Sequence, residues 1–162
     1  MKKFLIGLVA LLVVIQLFQI DKTNPVVDKN LDFINSYKPS PEIAQQIRTS
    51  CYDCHSNDTE YPFYSNIQPF GWFLANHIKE GRSHLNFSEF GTYTVKKQAH
   101  KLEEAVELIE KNEMPLSSYT SMHSSAALSD AQKKMLIEYF RAKQAEIKSS
   151  LSIQQTDAET EE

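Results

Sequence analysis

The chain has 162 residues, 17 Lys and Arg against 21 Asp and Glu, a formal net charge of -4 and 41% hydrophobic residues. That length allows one ordinary domain with a targeting segment and tails, and excludes two independent cores. Its basic residues are scattered and nowhere interleaved with aromatics along a stretch that would track phosphates, which argues against a nucleic-acid partner.

Met1-Lys2-Lys3 precedes an apolar run from Phe4 to Ile20, interrupted only by Gly7, Gln16 and Gln19. As a helix at ~1.5 Å per residue this run reaches roughly 25 Å, close to the ~30 Å of a hydrocarbon core. A cleaved secretory signal and an uncleaved signal anchor both fit residues 1–20. Leu17-Phe18-Gln19-Ile20-Asp21 offers no small-residue cleavage pattern, so the anchor is expected. With Lys2 and Lys3 retained in the cytoplasm, the rest of the chain is delivered across the inner membrane into the periplasm.

Residues 21–39 carry two prolines and several polar residues with little periodicity, and read as a linker. Val26, Val27, Leu31, Phe33 and Ile34 could still dock it on the domain expected over 40–148. Ser40-Pro41-Glu42 supplies a cap, a proline at the first helical position and an acid in the first turn, predicting a helix from Pro41 to the Cys51 region. Aromatics crowd the stretch from Tyr52 to Tyr93, as core or as a wall for a planar apolar ligand. A helix is expected from about Phe70 to Glu80, stopped by Gly81. Val95, Ala99, Leu102, Val106 and Ile109 mark an amphipathic helix over 95–112. Ser129 and Gln132 form a capping box for a last helix to about Lys148, with Ala131, Met135, Leu136, Tyr139 and Phe140 on its buried stripe. The acidic tail, 149–162, is expected to be disordered. With strands scarce, the fold class is all-α.

The chemistry-bearing motif is Cys51-Tyr52-Asp53-Cys54-His55, and these two cysteines are the only ones in the chain. C-x-x-C-H is the spacing of c-type haem attachment: two thiols reach the two vinyl groups of one porphyrin, and the following imidazole is placed under the iron. A zinc site would need a second ligand pair, which His77, His84, His100 and His123 do not form. A thioredoxin-like dithiol would need a strand before it. A plain disulfide would leave His55 without a role.

For the other axial position Met114 is the leading candidate. Pro115 ends any helix there and leaves the Met114 side chain in a loop, where a thioether would give the His/Met pairing of electron-carrying cytochromes. Met122, His123, His77 and an open position are the rivals. His100 lies off the stripe of its helix and Met135 on the stripe of the last one.

The sequence resembles the bacterial haem-binding domain proteins, cytochrome c-like and often membrane-anchored. The likeness spans about residues 24 to 145 and is carried by Cys51 to Asn57, Tyr61 to Ile67, Gly81 to Ser88, and Met114-Pro115 with Tyr119 and His123. It departs from the family at Phe63 and Phe90, where tryptophan is expected, and at Ser124, where proline is. The resemblance implies one haem c, with its iron, held by Cys51, Cys54 and His55 in a small cytochrome c-like helical domain. It leaves the reaction open; a six-coordinate haem shielded by aromatics and tethered to the membrane makes one-electron transfer with redox partner proteins the expected function, rather than enzymatic turnover. A haem-based sensor or peroxidase-like site with an exchangeable sixth ligand is the alternative, and a haem-stabilised interaction module is a third.

Overall fold

The computed structural model describes residues 1–160, and of 151–160 the backbone alone. The described residues form helices and turns without strands, in line with the all-α expectation.

Helix α1, Lys2–Ile15, buries none of its side chains. It ends short of the expected Ile20 because the chain turns there and the Gln16 amide pairs with the distant Gln68. The Gln68 N–H donates to Gln16 Oε1 at 2.9 Å, and Gln16 Nε2 donates to the Gln68 carbonyl at 3.0 Å. Fourteen residues make a helix of roughly 21 Å. Among the described residues no helix is long and apolar enough to cross a membrane.

The expected linker over 21–39 is in part core, which corrects that boundary. Asp32 accepts the Asn35 N–H at 3.0 Å and caps α2, Phe33–Tyr37. Phe33 is 0% exposed, with ring centroids of Phe90 and Phe87 at 4.9 and 5.3 Å. A single buried aromatic on a short helix leaves no periodic signal in a sequence.

Ser40 caps α3, Pro41–Ile47, as its residue types predict. The helix runs on through a π turn, Arg48–Tyr52, into α4, Asp53–His55. Helix α5, Phe70–His84, contains Gly81 instead of stopping at it. A Cβ at Gly81 would lie 2.5 Å from the Cys54 carbonyl oxygen, so this glycine serves the close approach of α5 to α4.

Helix α6, Val95–Glu110, buries Ala99, Leu102, Val106 and Ile109. The short α7, Ser117–Thr120, follows, and α8 runs over Asp130–Thr160. The Ser129 hydroxyl accepts the Gln132 N–H at 3.3 Å, and Gln132 Oε1 accepts the Ser129 N–H at 2.9 Å, closing the capping box. Leu136 and Phe140 are buried as predicted, whereas Ala131 is exposed and Met135 half-buried. Helix α8 passes its expected end near Lys148 because 149–160 holds neither Gly nor Pro. The disorder expected from Ser149 is therefore corrected to helix over 149–160, and Glu161 and Glu162 lie outside the described residues. Helices α6 and α8 pair antiparallel, with Arg141–Glu110 at 2.6 Å and Lys148–Glu103 at 3.8 Å on the outside of the seam.

Two predictions follow from this packing. Gly81→Ala should destabilise the fold by about 1–3 kcal/mol through overpacking against Cys54, outweighing the ~1 kcal/mol by which alanine favours a helix; denaturant titration reads the difference. The second concerns alkaline pH. Tyr52 donates to Asp32 Oδ2 at 2.9 Å, and burial, then the Asp32 charge, raises its pKa. Burial likewise pushes Tyr139 up to about 12 from 10.0. The folded chain thus keeps protons that the unfolded chain releases. Stability should be level below pH 10 in this respect and should fall as pH rises from there through the folded values, as pH-dependent denaturant midpoints would show.

Candidate functional site

Cys51 lies in the π turn, and Cys54 and His55 in α4, so offsets of three and four residues bring the motif onto one side of the helix. The two thiols are not bridged to each other. Burial raises both, Cys51 to about 12 and Cys54 to about 11, with the neighbouring Cys54 and Asp53 charges as the respective second causes. Both are therefore neutral thiols near pH 7 and poor ligands for a bare cation.

His55 is half-buried, and desolvation lowers its pKa against the opposing pull of backbone carbonyls, so the ring is neutral near pH 7. Its Nδ1 lies 3.0 Å from the Leu85 carbonyl oxygen. A carbonyl only accepts, so Nδ1 carries the proton and the lone pair sits on Nε2. Leu85 follows the last turn of α5 and is set in place by the Gly81–Cys54 approach.

Cys51, His55 and Met114 share the lining of one cavity of about 80 Å³, with Leu85, Phe87 and Leu108. Met114 reaches it because α6 ends in a tight turn. Asn112 adopts φ 58°, a left-handed conformation that Asn tolerates, and the Glu113 and Met114 N–H groups both donate to the Leu108 carbonyl, at 2.9 and 3.2 Å. Lys101 and Glu104, paired at 2.6 Å, stand on the wall of the same cavity with His84.

Cys54 opens onto a larger cavity of about 930 Å³, walled by Phe63, Tyr64, Phe70, Trp72 and Phe73, with no Asp, Glu, Lys or Arg in its lining. Met122 and His77 line this space and not the one shared by His55 and Met114. The His77 ring packs edge-on to Phe73 at 4.3 Å. His123 is engaged elsewhere: its Nε2 bonds the Tyr64 hydroxyl at 2.8 Å and its ring stacks on Tyr119 at 4.3 Å. His100 is on the surface, 3.2 Å from Glu104.

Several supports were not visible in the sequence. The Tyr119 hydroxyl donates to Asp53 Oδ2, and the Glu60 N–H donates to Asp53 Oδ1 at 3.0 Å, tying α7 and the 56–60 loop to the motif. Asn57, Asn86, Ser88 and Glu89 form a chain of hydrogen bonds at 2.8–3.1 Å that fixes the segment after His55 to the segment after α5. Arg82 adds bonds to the Ser56 carbonyl at 2.7 Å and to Asn24 and Thr59 at 2.9 Å. The likeness of Ser56-Asn57 and Asn86 to Ser88 to the family pattern thus has a structural reason.

Among the described residues no group of three or more His, Cys, Asp or Glu could hold a metal ion. One neutral imidazole, two protonated thiols, a thioether and a large uncharged aromatic cavity suit a flat macrocycle that brings its own equatorial metal ligands. The volume lies within the ~300–1,000 Å³ of cofactor and ligand sites. Fold and site define an all-helical protein that encloses a planar, apolar, metal-bearing cofactor. The model of the haem-binding domain family matches residues 10–142, most of the chain, and the protein belongs to that family. Haem is accordingly its cofactor. The match begins inside α1, in keeping with a domain that starts before residue 40. No curated protein and no solved structure matches the chain.

Proposed function

We propose that the protein is a c-type haem carrier of single electrons outside the cytoplasm, anchored to the membrane by its N-terminal segment. In this reading Cys51 and Cys54 hold the haem as thioethers, each S–H adding across one vinyl double bond. His55 Nε2 and the Met114 sulfur would hold its iron. The cofactor supplies a one-electron Fe(III)/Fe(II) couple.

The observation that carries the reading is that Cys51, His55 and Met114 line one cavity, while Cys54 opens, with the rivals Met122 and His77, onto the larger space that would take the macrocycle. The Leu85 carbonyl holds the His55 ring in one tautomer and orientation, which strengthens Nε2 as a donor. Aromatic side chains line the Cys54 side, and a neutral, soft sulfur ligand together with the imidazole would favour the reduced state. Export is supported by Lys2 and Lys3 ahead of the apolar segment. Membrane attachment is supported by α1, which is rich in apolar side chains and buries none of them. Redox proteins in the same compartment are the partners this reading requires.

Met114→Ala tests it. The oxidised wild type should show the weak long-wavelength absorption band of sulfur-to-iron ligation, and its reduced form should bind carbon monoxide poorly. The variant should lose the band, have a lower reduction potential and bind carbon monoxide readily, with haem still attached. A band that survives Met114→Ala and vanishes in Met122→Ala would move the ligand to Met122. A wild type that binds carbon monoxide freely and never shows the band would favour the sensor or peroxidase-like site.

A further inference from the structure

The large apolar side chains exposed on the helical domain are not scattered. Phe63, Phe70, Phe73 and Met122 are 60–75% exposed, and Ile67 and Trp72 lie beside them at the mouth of the larger cavity. The sequence around this mouth, Tyr61 to Ile78, contains no Asp, Glu, Lys or Arg, although 23% of the chain is charged. These side chains are also walls of the cavity that suits the cofactor, so that cavity opens on a contiguous uncharged surface.

The N-terminal segment continues that surface. Directly after α1 the chain is fastened to this same rim. Gln16 and Gln68 exchange two hydrogen bonds, Gln19 Nε2 donates to the Asn66 carbonyl at 3.3 Å, and Trp72 Nε1 donates to the Phe18 carbonyl at 2.8 Å. Leu17 and Phe18 point outward beside the rim aromatics, 80% and 63% exposed. The apolar helix and the apolar rim are thus one continuous surface, joined by bonds instead of a loose tether.

Length gives the second argument. A helix of roughly 21 Å spans only part of the ~30 Å hydrocarbon core, so its C-terminal end must itself be drawn in toward the lipid. Polar groups there need partners within the protein, and the Gln16, Gln19 and Trp72 bonds provide them. An indole with its N–H satisfied and its ring outward is the kind of side chain found at the headgroup level.

We propose that the rim formed by Phe63, Ile67, Phe70 and Trp72 sits in the headgroup and upper acyl region of the bilayer, with the mouth of the Cys54-side cavity facing the lipid. This rests on the anchoring reading above and adds to it a fixed orientation. A mobile tether would leave the rim free in water or available to a soluble protein.

Trp72 is the sole tryptophan and so a single-site reporter. The full-length, haem-loaded, reduced protein, labelled with 5-fluorotryptophan, is reconstituted with phosphatidylethanolamine–phosphatidylglycerol vesicles. Its one fluorine resonance is then challenged with a spin-labelled phospholipid and with a water-soluble gadolinium chelate. The lipid label should broaden the resonance several-fold more than the chelate does. If the protein co-sediments with the vesicles yet only the chelate broadens the signal, the anchoring stands and the lipid-facing rim is wrong. If the protein does not co-sediment at all, the anchoring reading fails and this one with it.

Discussion

The contact on which the site depends is the approach of α5 to α4 at Gly81. Because no side chain stands there, the two backbones close to a distance at which a Cβ would collide with the Cys54 carbonyl. That approach brings the end of α5 alongside the motif, and the Leu85 carbonyl meets His55 Nδ1 at 3.0 Å. The tautomer of the imidazole, the direction of its lone pair and the wall of the cavity beside Cys51 all follow. A glutamate could replace the carbonyl as acceptor only by adding freedom that a backbone group lacks.

Around this contact the molecule divides its polar and apolar tasks. Asn57, Asn86 and Ser88 bond one another and Arg82 bonds the Ser56 carbonyl, so the turn after His55 is fixed without a charged side chain in the lining of the larger cavity. Asp53 is turned outward to Tyr119 and the Glu60 N–H, which leaves its neighbour Cys54 facing an uncharged space. The α6–α8 pair supplies most of the stable core, with Phe33 packed against Phe140 at 6.0 Å. The smaller cavity is walled by side chains of this core, Leu85, Phe87, Ile109 and Phe140 among them, whereas the lining of the larger cavity lies outside it.

Much of this was legible in the sequence where a side chain itself carries the signal. The stripes of α6 and α8, the Ser40 and Ser129 caps and the C-x-x-C-H spacing each declare themselves through residue type at fixed intervals. The position of Met114 in a loop followed from Pro115, but its arrival beside His55 depends on the left-handed turn at Asn112, which no periodicity reveals. Gly81 was misread because a glycine that ends a helix and one that lets two helices touch look alike in one dimension. Phe33 was assigned to a linker for want of a repeating pattern around it. The acceptor of His55 is a backbone carbonyl, and the sequence has no letter for that.

The central claim is covalent attachment through Cys51 and Cys54. Intact mass spectrometry of the denatured protein, produced with a haem-attachment machinery present, tests it most directly. The account predicts that the wild-type polypeptide carries the added mass of one haem through acid and organic solvent, and that the Cys51→Ala, Cys54→Ala double variant has the bare polypeptide mass. A wild-type chain that shows the bare mass after the same treatment would contradict it.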